Sequence, residues 1–176
     1  WRVVPGLAEA LWISYTRDGS LDVALLALEA HLGDVEELAL FADPFVLATP
    51  KGHRLAKRKK VSEKDLQDEQ MLLLDDGHCL RDQALSICSR SGASELGDFR
   101  ASSLTTLIQM VVGGFGMTLL PKISLEVEAR PERELCLIPF GANGPARTIG
   151  LIWRRCSMRE AEFRLLGDAI RTGFLG

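Results

Sequence analysis

Apolar residues along this chain fall in short runs set off by polar or glycine-rich stretches, and the spacing inside each run predicts its element. Leu21-Asp22-Val23-Ala24-Leu25-Leu26-Ala27-Leu28 is nearly unbroken, the mark of a strand covered on both faces in a parallel sheet. Phe45 to Ala48, Met71 to Leu74, Met117 to Leu120, Leu135 to Ile138 and Thr148 to Trp153 predict further strands. Ser103 reads as the N-cap of an amphipathic helix, because Leu104, Leu107, Ile108, Val111 and Val112 recur at i, i+3, i+4, i+7 and i+8, and Gly113-Gly114 ends it. The segment after Gly77 is helical as well, with Leu80, Ala84, Leu85 and Ile87 on its apolar side. A last helix runs from about Met158 to Arg171 on a stripe of Leu165, Leu166, Ala169 and Ile170. Near the start, Leu7 to Leu11 predicts a scrap of helix and Leu11 to Tyr15 a strand. Strands alternating with helices predict an α/β protein with a mainly parallel sheet.

Composition adds limits. At 176 residues the chain is one domain or two small lobes, long enough to bury a core without staples. A net charge of −3 argues against a general nucleic-acid surface on this stretch. No apolar run approaches the roughly 20 residues that span a bilayer, so no membrane association is expected. Opening on Trp1 rather than Met, the sequence is expected to be cut from a longer chain. The basic run Lys51 to Lys60 is a solvated connector rather than a phosphate site, since acidic Glu63, Asp65, Asp68 and Glu69 follow it. Ser62 and Asp65 are placed to cap a short helix.

Of the four cysteines, Cys136 lies in a strand and Cys156 at a strand end; Cys79 and Cys88 share the helix after Gly77. Nine helical steps put these two sulfurs on opposite faces, with Cα atoms roughly 13.5 Å apart. A disulfide needs roughly 7 Å or less. If they pair, the helix must come apart, which would make the pair a switch. Cys79 sits at the helix start, where the dipole favours a thiolate; His78 and Arg81 favour it too, while Asp75, Asp76 and Asp82 oppose it. His78-Cys79 with Cys88 lacks the close cysteine pairs of zinc ribbons, and His31 and His53 are not expected to converge there, so neither metal nor cofactor is expected. Gly114-Phe115-Gly116 follows a helix and precedes a strand, the reverse of a dinucleotide loop. No nucleophile elbow suggests a hydrolase.

The run from Leu74 to Ala84, Leu-Asp-Asp-Gly-His-Cys-Leu-Arg-Asp-Gln-Ala, with Cys88, resembles the redox segment of the peroxide-sensing OxyR branch of the LysR-type transcriptional regulators. Gly19 to Leu25, Phe99 to Leu107 continuing through Gly114 to Pro121, and Arg147 to Leu151 resemble other stretches of those regulators. The resemblance implies two Rossmann-like α/β lobes joined by two crossing strands, like a periplasmic binding protein. The first lobe would be residues 1–43 with 147–176, the second 44–146. It implies that Cys79 is the peroxidatic thiol and Cys88 the resolving one. His78, Arg81, Asp82 and Arg147 would surround the reactive sulfur. Thr16 stands for a threonine that opens a helix in the family, although only Arg17 to Ser20 separates it from the Leu21 run. The implied partners are hydrogen peroxide, a second copy of the chain in a dimer or tetramer, and a reductant such as glutaredoxin or thioredoxin. DNA would be reached only through an N-terminal winged helix-turn-helix outside this sequence. The implied protein is a cytoplasmic activator and not an enzyme. The alternative is an effector domain that binds a small metabolite between the lobes.

Overall fold

The computed structural model describes residues 9–28, 32–76, 79–128 and 135–175. The chain divides into two compact units, Trp1–Ala42 with Arg147–Gly176, and Asp43–Ala146.

The first unit contains helix α1 (Glu9–Asp18), strand β1 (Val23–Ala27), the opening of the long strand β2 (Val35–Pro50), strand β7 (Ala146–Arg154) and helix α5 (Glu160–Leu175). In the sheet, β7 lies between β1 and β2, and β1 pairs with it antiparallel from Val23 opposite Trp153 to Ala27 opposite Ile149. Alternation along β7 feeds two cores, as a pleat dictates. Ile152 packs with Ala24, Leu26 and Val35 on the side to which Ile13 of α1 contributes. Leu151 and Trp153 pack with Leu40 and Phe163 on the side to which Leu166 and Ile170 of α5 contribute. Gly150 is required at this crossing, since a Cβ there would stand 2.7 Å from the Leu38 carbonyl.

Two expectations fail in this unit. Leu11 to Tyr15 is not a strand but the middle of α1, and the expected scrap at Leu7 begins outside the described residues. Ile13 packs on the core and Thr16 is buried one turn later, so tertiary packing at helical spacing overrides the β preference of Trp12, Ile13 and Tyr15. The run from Leu21 is also not covered on both faces: β1 is the edge of this strand order, and Leu25 is 54% exposed.

In the second unit, β2 pairs antiparallel with β5 (Thr118–Pro121) and with β6 (Leu135–Pro139). Strand β3 (Gln70–Leu74) runs parallel to β4 (Ser94–Ala101), with an irregularity between Met71 and Leu73. The Leu72 N–H donates to the Met117 carbonyl at 2.8 Å, joining β3 to the approach of β5. Helix α2 (Cys79–Ser91) links β3 to β4 and packs on both and on the short helical turn Glu63–Leu66. Helix α3 (Leu104–Val112) packs on β3, β4 and β5, and α4 (Leu125–Glu128) follows. As expected, the Ser103 hydroxyl caps α3 by accepting from the Thr106 N–H at 3.2 Å. Asp65 accepts from the Ser62 N–H at 2.8 Å, and Arg54 and Arg58 of the basic connector fold onto Glu69 and Asp65.

The sheet is not mainly parallel. The pairings of β1 with β7 and of β2 with β5 and β6 are antiparallel, while β3–β4 and the isolated bridges Val61–Phe140 and Met71–Met117 are parallel. Alternation of elements reports their local order, whereas strand direction depends on which distant segments flank the crossing strand β2. Among the described residues no helix is long and apolar enough to cross a membrane.

Candidate functional site: the cysteine helix

Helix α2 forms because Leu80, Ala84, Ile87, Cys88 and Ser91 recur at helical spacing and bury one face. Gly92 ends it in the left-handed region (φ 76°), and the Ala93 N–H donates to the Cys88 carbonyl at 3.1 Å. This is the bond that closes a helix one residue past its C-terminal glycine. The Ser91 hydroxyl donates to the same carbonyl at 3.1 Å.

Cys79 is the first residue of α2 and half-buried; Cys88 is buried in the core of the second unit. Both are thiols and both lie in one continuous helix, so the geometry expected from the sequence applies: Cα atoms about 13.5 Å apart, side chains on opposite faces. Burial pushes the Cys88 thiol up to about 11, and the nearby Glu95 charge adds to the shift. At neutral pH Cys88 is therefore a protonated, shielded sulfur and gains nucleophilicity only when the helix around it opens.

That burial carries a stability prediction. The folded state keeps a proton that the unfolded chain releases near 9.0. The contribution is full below that value and is lost as pH rises toward about 11. Across that window the unfolding free energy of the reduced chain is expected to fall, relative to Cys88→Ala, by about 1.4 kcal/mol per pH unit. Parallel slopes in urea titrations of the two proteins would contradict it.

Arg81 lies two residues after Cys79 in the first turn of α2. Its side chain is 7% exposed. Its guanidinium grips Glu95 in a two-pronged pair (2.7 and 2.9 Å), donates to the Leu74 carbonyl at 3.1 Å and meets Asp76 at 2.8 Å. Arg100 closes the circuit, reaching Glu95 at 3.2 Å and Asp76 at 2.9 Å. Two cations and two carboxylates thus alternate in a ring that joins the turn before Cys79, the first turn of α2 and both ends of β4. Hydrogen bonds from Arg81 hold the Glu95 carboxyl below its ordinary range, against the opposing effect of its partial burial. The Arg81 charge thus faces two carboxylates and ties the first turn of α2, where Cys79 lies, to β4 and to the turn before it.

Asp82 is exposed in the first turn of α2. His78 lies outside the described residues. Arg147 is half-buried on β7, and Thr16 is buried in the last turn of α1; both belong to the first unit, Cys79 to the second. Thr16 therefore does not open a helix: Gly19 (φ 85°) ends α1 three residues later. Cys136 is half-buried on β6 opposite Thr49, and Cys156 is exposed in a turn with φ 58°. An apolar cavity of about 430 Å³ in the second unit, lined by Phe45, Leu125, Leu137 and Phe140 with Lys122, includes no residue of α2. Asp76, Glu95 and Arg100 were not legible as partners, because they meet only once β4 lies beside β3.

The chain matches the LysR substrate binding domain family over residues 13–175. It is 44% identical over 170 residues to a probable hydrogen peroxide-inducible genes activator of Mycobacterium avium, covering 96% of this chain and 54% of that protein. The chain spans about half the length of the curated relatives it matches. Among solved structures it resembles the hydrogen-peroxide-bound C206S mutant of Corynebacterium glutamicum OxyR, with TM-score 0.85 and 34% identity over 94% of this chain and 53% of that one. It also resembles the oxidised form of OxyR, with TM-score 0.82 and 38% identity over 97% of this chain and 80% of that one.

Proposed function

The chain belongs to the LysR substrate-binding domain family, and from that premise we propose that it is the regulatory domain of a transcription regulator switched by hydrogen peroxide. The Cys79 thiolate attacks one peroxide oxygen, the O–O bond breaks, and hydroxide leaves as Cys79 becomes a sulfenic acid. The Cys88 sulfur then attacks the Cys79 sulfur and the sulfenic oxygen departs as water, leaving a disulfide. The pairing requires the helix between the two residues to open, and the refolded segment alters the surface through which copies of the domain associate as dimers or tetramers. A DNA-binding winged helix-turn-helix elsewhere in the full-length regulator would read that change. The protein would work in the cytoplasm as a sensor rather than a turnover enzyme, and a dithiol protein such as glutaredoxin or thioredoxin would restore the two thiols.

One observation carries this reading: Cys79 at the first residue of α2, with Cys88 buried nine residues on in the same helix. The names of the relatives support it. His78, Arg81, Asp82, Arg147 and Thr16 are proposed as surroundings of the reacting sulfur on the strength of the family resemblance. The test treats the reduced chain with one equivalent of hydrogen peroxide and maps its thiols by mass spectrometry. A Cys79–Cys88 disulfide formed within seconds and reversed by dithiothreitol is expected. An unmodified Cys79 would overturn the reading and favour a metabolite-binding effector domain.

A further inference from the structure

We infer that the charge ring of Asp76, Arg81, Glu95 and Arg100 is a latch that holds the dithiol form, and that Asp76 and Glu95, which hold Arg81, are positioning residues that set how readily Cys79 and Cys88 pair. The inference rests on the proposed redox reading. Its basis is where the ring members lie relative to the loop a disulfide would close. Arg81 is inside the Cys79–Cys88 segment, while Asp76, Glu95 and Arg100 are outside it. Glu95 and Arg100 are fixed by the β4 ladder, where Glu95 is registered with Met71 and Arg100 with Leu73.

Drawing the Cys79 and Cys88 Cα atoms from about 13.5 Å to less than about 7 Å unwinds the segment between them. Arg81, two residues from Cys79, is then displaced from all three partners at once. The bonds of Arg81 to Asp76 and Glu95 are interactions of the dithiol state alone, and a group that stabilises one of two states shifts their equilibrium by that difference. Glu95 has a second connection to the chemistry, because its charge also acts on the buried Cys88 thiol.

The test equilibrates the chain with mixtures of reduced and oxidised dithiothreitol, in which protein disulfide plus dithiol reagent exchange for protein dithiol plus cyclic reagent disulfide. The fraction of Cys79–Cys88 disulfide is read by mass spectrometry. Asp76→Asn removes the exposed carboxylate, 76% accessible, that Arg81 meets at 2.8 Å, and leaves the Arg81–Glu95 pair in place. It is expected to shift the equilibrium about three- to fivefold toward the disulfide, the range of a partly exposed pair. Glu95→Gln leaves Arg81 without its charged fork and is expected to shift it at least about tenfold. In a Cys88→Ser background, trapping of the Cys79 sulfenic acid by dimedone reads the first step alone, and Glu95→Gln is expected to leave that rate within about twofold, since the latch acts on pairing rather than on peroxide.

A role confined to global stability would leave the dithiol–disulfide equilibrium unmoved, so an unchanged equilibrium in Asp76→Asn overturns the latch even if Glu95→Gln fails to fold. A shift toward the dithiol overturns it as well. A chain that ignores peroxide but shows the expected shifts in dithiothreitol overturns the sensor reading and keeps the latch. A wild-type chain that forms no Cys79–Cys88 disulfide with either oxidant overturns both.

Discussion

Replacing Cys79 by serine is expected to abolish the conformational response to peroxide. Serine matches the shape of cysteine at the start of α2, but its hydroxyl stays protonated at neutral pH and its oxygen has no sulfenic state to enter. The helix then has no bond to gain by opening, and Leu80, Ala84 and Ile87 stay in the core. The measurement is amide hydrogen exchange across residues 79–91 before and after one equivalent of peroxide. Wild type should lose protection in that segment, and Cys79→Ser should keep it. Thiol counting alone is a poor assay, because Cys156 is exposed and consumes oxidant without touching α2. Cys88→Ser should be intermediate: the sulfenic acid forms on Cys79, yet the segment stays protected because no partner pulls it open. Peroxide-induced loss of protection in Cys79→Ser would refute the mechanism.

The largest stability effect is expected at Glu95. Truncating it to alanine strands the buried guanidinium of Arg81 with the Leu74 carbonyl and Asp76, whose side chain is 76% exposed and offers a well-hydrated, weak partner. An uncompensated buried charge costs about 3 kcal/mol or more. The drop should appear in urea unfolding of the reduced chain as a lower midpoint at unchanged slope. Replacing both Arg81 and Glu95 by leucine removes the stranded charge along with its partner, so the double variant should recover a substantial part of the loss, with a coupling of about 1–3 kcal/mol. Strict additivity would mean that the pair contributes nothing as a pair. Because the Glu95 carboxyl is depressed, its stabilisation is present above its ordinary 4.5 and disappears as pH falls through the lowered value.

The parts of this molecule that could be read from sequence are those whose cause is local. Helix α3 announces itself by a serine cap, an apolar stripe and two glycines, all within a dozen residues. The cysteine helix and its start at Cys79 were legible for the same reason. Strand β4 was not: Gly97 and Asp98 are poor strand formers, and much of the segment is exposed, so what makes it a strand is the parallel ladder to β3. Losing β4 also concealed the ion ring, because Glu95 and Arg100 meet Arg81 only across that ladder. From sequence, Arg81 could be related only to nearby residues such as Cys79, while its ion pair with Glu95 spans fourteen residues. Helix α1 was misread in the opposite sense, since the β-forming side chains of Trp12, Ile13 and Tyr15 spoke for a strand that the burial of Thr16 does not allow.

The two ends of the cysteine helix are secured by unlike means, and this bears on how such a sensor can be adjusted over evolution. The far end depends on one glycine in a left-handed conformation at residue 92, a backbone requirement that few substitutions satisfy. The near end depends on four ionic side chains spread over three segments, of which the more exposed Asp76 and Arg100 can be exchanged at smaller cost than the buried Arg81 and its partner Glu95. On the proposed latch, an exchange at Asp76 would retune the threshold between lineages facing different oxidant loads, while the glycine at the far end stays fixed by its backbone conformation.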